Sequence, residues 1–194
     1  MVRKRTVKKW GWEENHTLSG IIGYQVRLKL HVKGNKMQGK RIKDSSVIMV
    51  QPMSPQDANQ SGNVQGGVIM KLIDMAGAIV AQRHARTNGV TASVDRIDFL
   101  HPVYIGDVLS LKASLNLVGR TSMEVGVRVE SENPLTGEIR HTASAFLSYV
   151  AMDKSGKPVE VAPLILETDD DKRRNEDAKA RRETRLRGRK RESS

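Results

Sequence analysis

From Val68 to Ala81 the chain is apolar or small at every position except Lys71 and Asp74. A helix that is apolar nearly all round has to lie inside something. The surrounding stretch, "GGVIMKLIDMAGAIVAQRHAR", contains no proline and predicts one helix of about twenty residues. It ends before "TNG", where Asn88-Gly89 signals a turn. The rest of the chain must therefore supply a cover for it.

That cover is visible as period-two alternation. "SSVIMVQPM" precedes the helix and reads as a strand, and β-branched "VTASVDRIDF" follows it. "DVLSLKASLNLVG" places Leu109, Leu111, Ala113, Leu115 and Leu117 on one face, and "SMEVGVRVES" does the same with Met123, Val125, Val127 and Val129. "NPLTG" is a turn, and "IRHTASAFLSYVAMD" is a last strand. Four consecutive strands with short connections are mostly antiparallel. One apolar sheet face and one apolar helix give an α+β hotdog fold, a curved five-stranded antiparallel sheet wrapped around one long central helix.

A net charge of +11 invites a nucleic-acid reading, but the charge is concentrated at the ends. Residues 1–43 hold 12 Lys/Arg against 2 Asp/Glu, residues 44–166 hold 10 against 12, and residues 167–194 hold 11 against 8. The middle is slightly acidic. It is flanked by a basic extension over 1–43, disordered by its composition, and by a charged tail over 167–194. That extension is poor in acids, as a transit peptide is, but also poor in serine, and Met37 is an alternative start because the domain pattern begins only near Lys40. The tail "ETDDDKRRNEDAKARRETRLRGRKRESS" opens with acids suited to a helix N-terminus and lacks an apolar stripe, which predicts an exposed helix or disorder. No apolar run is long enough to span a bilayer, and the reading is a cytoplasmic protein without membrane insertion.

Cysteine is absent, which excludes thiol nucleophiles and thiolate metal sites. There is no G-x-S-x-G elbow, no P-loop, no G-x-G-x-x-G, and no histidine pair at metal spacing. His84, His101 and His141 are far apart and read as structural, so no metal is expected. Carboxylates, amides and backbone groups remain. Gly66 and Gly67 start the helix, where N–H groups lack intrahelical partners and the helix dipole is positive. They either admit a ligand oxygen to those donors or simply permit tight helix–sheet packing. Asp74 follows seven or eight residues later, roughly on the same face and about 10 Å along the axis. It pairs with Lys71 as an exposed ion pair, or it has a use, because Met70, Ala78 and Ala81 share its stripe and are apolar. Asn63 either caps the helix or holds a water or a carbonyl.

D-A-N-x-x-G-N-V-x-G-G (Asp57 to Gly67), the helical Asp74, T-A-S-V-D (Thr91 to Asp95) and G-R-T-S-M-E-V (Gly119 to Val125) occur together, with "AFLSYVAMDKSGKPVEVAPL" and "ETDDDKRR" beyond them. Over about residues 45–175 this combination resembles the acyl-CoA thioesterase branch of the hotdog superfamily, the brain acyl-CoA hydrolase type. The resemblance implies hydrolysis of fatty acyl-CoA, with Asn63 and Asp74 as a catalytic pair drawn from opposite subunits. Asp74 would be general base or nucleophile, Asn63 would position water or carbonyl, and Gly66 and Gly67 would hold the thioester oxygen. Arg120, Thr121 and Ser122 would meet the CoA nucleotide, while Thr91 and Ser93 would line the pantetheine passage. CoA enters as part of the substrate and no cofactor is implied. Mammalian relatives fuse two such domains in one chain. A single domain with both residues implies a homodimer with two sites, within a hexamer built as a trimer of dimers.

Two other readings compete. A non-hydrolytic acyl-CoA binder on the same fold predicts CoA affinity without thiol release. A nucleic-acid binder using the basic ends predicts steeply salt-dependent affinity, but no stacking platform or nucleic-acid motif accompanies the charge, and no specific nucleic acid is expected as a partner.

Overall fold

The computed structural model describes residues 37–192, with side chains to residue 188; the basic extension expected over 1–43 lies outside the described residues up to 36. The elements are β1 (Lys40–Arg41), β2 (Val47–Pro52), α1 (Gly66–Ala85), β3 (Asn88–Phe99), β4 (Val108–Val118), β5 (Ser122–Glu132), β6 (Ile139–Met152), β7 (Leu164–Ile165) and α2 (Asp169–Glu192). Strands β2 to β6 form one antiparallel sheet in the order β2-β4-β5-β6-β3. α1 packs against all five strands. Ile69, Ile73, Ala76 and Val80 of the helix are buried with Leu109, Leu111, Leu115, Val125, Val129 and Leu147 of the sheet. The α+β hotdog architecture expected from the periodicity is thus observed. The helix ends at Arg86, whose left-handed backbone (φ 57°) closes the last turn through an N–H donated to Gln82 O.

Three expectations need correction. Leu117 does not share the inner face with Leu115. A bulge at Asn116 shifts the register, so Leu117 pairs with Glu124 on the outer face and Val118 pairs with Met123 on the inner one. The domain also starts before residue 44, because Lys40–Arg41 runs parallel to β7 and Ile42 is buried.

The tail is the third: it is a helix, one of the two forms expected, but α2 lies on the outer sheet face rather than exposed all round. The bulge leaves the Asn116 carbonyl outside the ladder, and Asn175 Nδ2 donates to it at 2.7 Å. Arg174 donates to Ser114 Oγ, Arg181 donates to Glu124 and covers the Phe146 ring, and Arg185 pairs with Asp95. Ala178 is fully buried beneath the helix. Small and polar groups dock this helix, which is why no apolar stripe marks it. Among the described residues no helix is long and apolar enough to cross a membrane.

His84, near the end of α1, is buried, with Nε2 2.7 Å from Ala162 O and Nδ1 without a partner among the described residues. Burial holds its pKa below the ordinary histidine value, and Lys40, whose Nζ donates to the His84 carbonyl, acts in the same direction. Between the folded and unfolded values the unfolded chain binds more protons, so stability falls as pH drops below about 6.5. Melting temperature measured from pH 8 to 5 should decline over this window. The decline should be shallower in His84→Gln than in the native chain, whatever that variant's stability at pH 8.

Candidate active site

Asp74 lies half-buried on the sheet-facing side of α1. Thr91 of β3 donates its hydroxyl to Asp74 Oδ1 at 2.7 Å. Tyr149 of β6 approaches the same residue from inside the core, with Oη 3.0 Å from Asp74 O and 3.2 Å from Oδ1. The register explains the convergence, since Thr91 pairs with Tyr149 and both side chains point toward α1. Among the described residues no hydrogen bond reaches Oδ2, and no ion pair joins Lys71 to Asp74. The carboxylate is therefore held through one oxygen and open at the other. Tyr149 is fully buried, and burial raises its phenol pKa well above the ordinary value, so it remains a donor.

The loop before α1 is tied into one shape. Asn59 Oδ1 accepts N–H bonds from Ser61 (2.8 Å) and Asn63 (3.2 Å), and Asn59 N–H donates to Asn63 O at 2.6 Å. Gly62 makes the bend at φ 83°, a conformation that favours glycine. These bonds turn the Asn59 carbonyl into the loop, leaving its NH2 as a donor to the outside. Asn63 does not cap the helix. Gln65 occupies the N-cap position without a side-chain cap bond, and the Asn63 amide makes no hydrogen bond among the described residues. Helix–sheet packing does not require both glycines. A Cβ at Gly67 would meet nothing within 4 Å, and one at Gly66 would make ordinary contact with Phe99 at 3.7 Å. The first N–H groups of α1 are thus open to approach.

The sequence and the fold have clear counterparts. The thioesterase superfamily model matches residues 61–138, from the loop through β5. An uncharacterized acyl-CoA thioester hydrolase of Bacillus subtilis is 40% identical over 129 residues, covering 66% of this chain and 75% of the relative. The chain belongs to the thioesterase superfamily. A rat cytosolic acyl coenzyme A thioester hydrolase is 38% identical over 69% of this thioesterase, which spans only 35% of that longer relative. Among solved structures, an apo-hexameric acyl-CoA thioesterase matches at TM-score 0.76 and 41% identity, covering 78% of this chain and 97% of the other. A Staphylococcus aureus acyl-CoA hydrolase in complex with butyryl-CoA, CoA and CoA disulfide matches at TM-score 0.73 and 35% identity, over 79% and 93%. Solved variants of the Staphylococcus enzyme replace an aspartate, an asparagine fifteen residues before it, or a threonine seventeen after it, with alanine.

The residues expected at CoA are not gathered into one place in the thioesterase. Thr91 reaches Asp74, but Ser93 does not join it. A bulge between them pairs Ser93 with Ser148, turning it to the outer face. There Ser93 lines a cavity of about 640 Å3 with Phe146, Arg181 and Arg185. Arg120 and Thr121 lie in the β4–β5 turn, Ser122 opens β5, and Met123 beside it pairs with Tyr149. The turn therefore sits at the same end of the sheet as the Asp74 cluster, with Arg120 highly exposed and 3.8 Å from Glu160.

Two residues packed around Asp74 escaped the sequence reading, Tyr149 and Gly77. Each had a signal. A tyrosine on an inward strand position needs a partner for its hydroxyl, and a glycine inside a long helix is a poor helix former that needs a reason. The thioesterase also exposes Val90 and Val94 on edge strand β3, Phe99 and Leu100 at its end, and Met70, Met75 and Ile79 on α1.

Proposed function

We propose that the protein hydrolyses fatty acyl-CoA to a free acid and CoA, with Asp74 as general base. The observation that carries this reading is the half-held carboxylate, fixed by hydroxyls at Oδ1 and open at Oδ2. Water gives its proton to Oδ2 and attacks the thioester carbon, while N–H groups at Gly66 and Gly67 receive the developing oxyanion. The intermediate then expels CoA as a thiolate, a good leaving group needing little acid assistance. Attack by Asp74 itself through a mixed anhydride is the alternative course.

Gly67 and Asp74 of one helix lie about two turns apart, so the carbonyl is presented to Asp74 by a second copy of the chain. The exposed apolar positions on β3 and α1 suit that copy, because an open edge strand flanked by apolar groups invites pairing. The hexameric relatives support assembly into a trimer of such dimers. Arg120, Thr121 and Ser122 offer a cation and hydroxyls for the CoA phosphates.

The sequence resemblance pointed to Asn63 as the amide partner. Asn59 is favoured by two observations: its NH2 is oriented outward by the loop, and it stands at the same spacing before Asp74 as the asparagine replaced in the Staphylococcus enzyme. Thr91 matches the replaced threonine in the same way. Thiol release from acyl-CoAs of increasing chain length tests the activity; tight CoA binding with no thiol release at any length would shift the reading to a non-hydrolytic binder. In the same assay Asn59→Ala should lose about 10²-fold in kcat, the effect of removing one oriented donor, and Asn63→Ala less than about tenfold. The reverse order would restore Asn63. Co-expressed Asp74→Asn and Asn59→Ala chains should recover about a quarter of the native rate, because half of the dimers are mixed and each carries one intact site.

A further inference from the structure

We infer that Tyr149 and Gly77 form a positioning pair for the reacting carboxylate: the tyrosine hydroxyl, admitted through the gap left by the missing side chain at Gly77, braces Asp74 at Oδ1 and leaves Oδ2 as the oxygen presented to water. The inference rests on Asp74 being the base.

Three features of the core lead to it. Tyr149 is fully buried on β6, yet its hydroxyl ends at Asp74 rather than at another strand. Gly77 is buried three residues further along α1, and a Cβ there would collide with Tyr149 Oη and lie 3.0 Å from Cζ. No real Cβ tolerates that contact, and the ring sits in a packed core with little room to retreat. The glycine therefore weakens the helix in order to let the hydroxyl through. Finally, Thr91 donates to the same Oδ1, while Tyr149 shares its single hydroxyl proton between that oxygen and the Asp74 backbone carbonyl, so the two strands hold both the carboxylate and the backbone that carries it. A carboxylate with both oxygens free would sample several rotamers; this one is held in a single orientation from behind.

A purely structural tyrosine would fill the core as well with its ring alone. The two roles separate in kinetics. Tyr149→Phe keeps the ring, removes the brace, and should lower kcat by about 10- to 100-fold, the loss of one hydrogen bond to a charged group, with KM within about twofold. Gly77→Ala should lower kcat similarly by displacing the hydroxyl. The double variant should be no slower than the slower single one, because the brace is already gone and the added Cβ then meets only ring carbons, at 3.0 and 3.1 Å, a tight contact that a shift of a few tenths of an ångström relieves. Melting temperature and oligomeric state are followed for every variant. Unchanged kcat in Tyr149→Phe, or multiplied losses in the double variant, overturns the pairing. If Tyr149→Phe fails to fold, Gly77→Ala decides alone, and a native kcat there overturns the inference. Asp74→Asn is the control: if it retains the native rate, the assignment of the base has failed. If it is inactive while Tyr149→Phe is fully active, only the positioning pair has failed.

Discussion

Asp74→Asn is expected to lower kcat for acyl-CoA hydrolysis by about 10²- to 10⁴-fold, the range for loss of a positioned base, and to leave KM nearly unchanged. The substitution is unusually clean here because both donors at Asp74 meet the same oxygen. Thr91 donates to Oδ1, Tyr149 shares its hydroxyl proton between Oδ1 and the Asp74 backbone carbonyl, and an asparagine carbonyl in the Oδ1 position accepts in the same way. The side chain should keep its place, and the fold and oligomer with it. What changes is the free end, where an NH2 that cannot take a proton replaces the open Oδ2. The residual rate then measures what the glycine N–H groups and the oriented amide achieve without a base. Equal rates for native and variant chains would remove Asp74 from the chemistry and leave the family resemblance supporting fold alone.

Much of this arrangement is legible in the sequence, for reasons that also mark where reading stops. Period-two runs in β4, β5 and β6 give the inner face, because every second side chain must leave water, and the all-apolar α1 can only be the element they cover. Asp74 stands out as a carboxylate on an apolar stripe. Bulges leave no such trace. One extra residue at Asn116 or beside Ala92 reverses the facing of the residues just beyond it, until β4 ends or a second bulge beside Asp95 restores the alternation in β3, so Leu117 and Ser93 point outward although the alternation alone places them with Leu115 and Thr91. The choice between Asn59 and Asn63 has the same character. Two identical amides four residues apart differ only in which one the loop's hydrogen bonds turn outward. Gly77 and Tyr149 are each ordinary where they stand, and their relation exists only once β6 lies beneath α1.

α2 illustrates the other limit, docking without an apolar stripe, and it yields the second large effect. Arg181→Ala should destabilise the protein by about 3–5 kcal/mol, the cost of leaving one member of a buried ion pair alone. Glu124 is only 2% exposed, and its Oε1 accepts Arg181 Nη2 at 2.7 Å and Nε at 3.2 Å. Without the guanidinium it keeps a single long bond from Asn116 Nδ2, 3.3 Å, while Oε2 has no partner among the described residues even in the native chain. The carboxylate must then draw in water or release the helix. Loss of the arginine plane 3.8 Å above Phe146 adds to the effect. Melting temperature should fall by roughly 10 °C, and α2 should become the first site of limited proteolysis. Arg173→Ala is the matched comparison, because Arg173 pairs with Asp170 and Asp177 on the exposed side of the same helix, where such pairs contribute less than about 1 kcal/mol. Replacing both partners, Glu124→Gln with Arg181→Met, should recover most of the loss, since the uncompensated charge rather than the missing attraction carries the cost. Equal melting temperatures for Arg181→Ala and Arg173→Ala would return α2 to what its sequence suggests, a charged helix resting on the sheet without contributing to the fold.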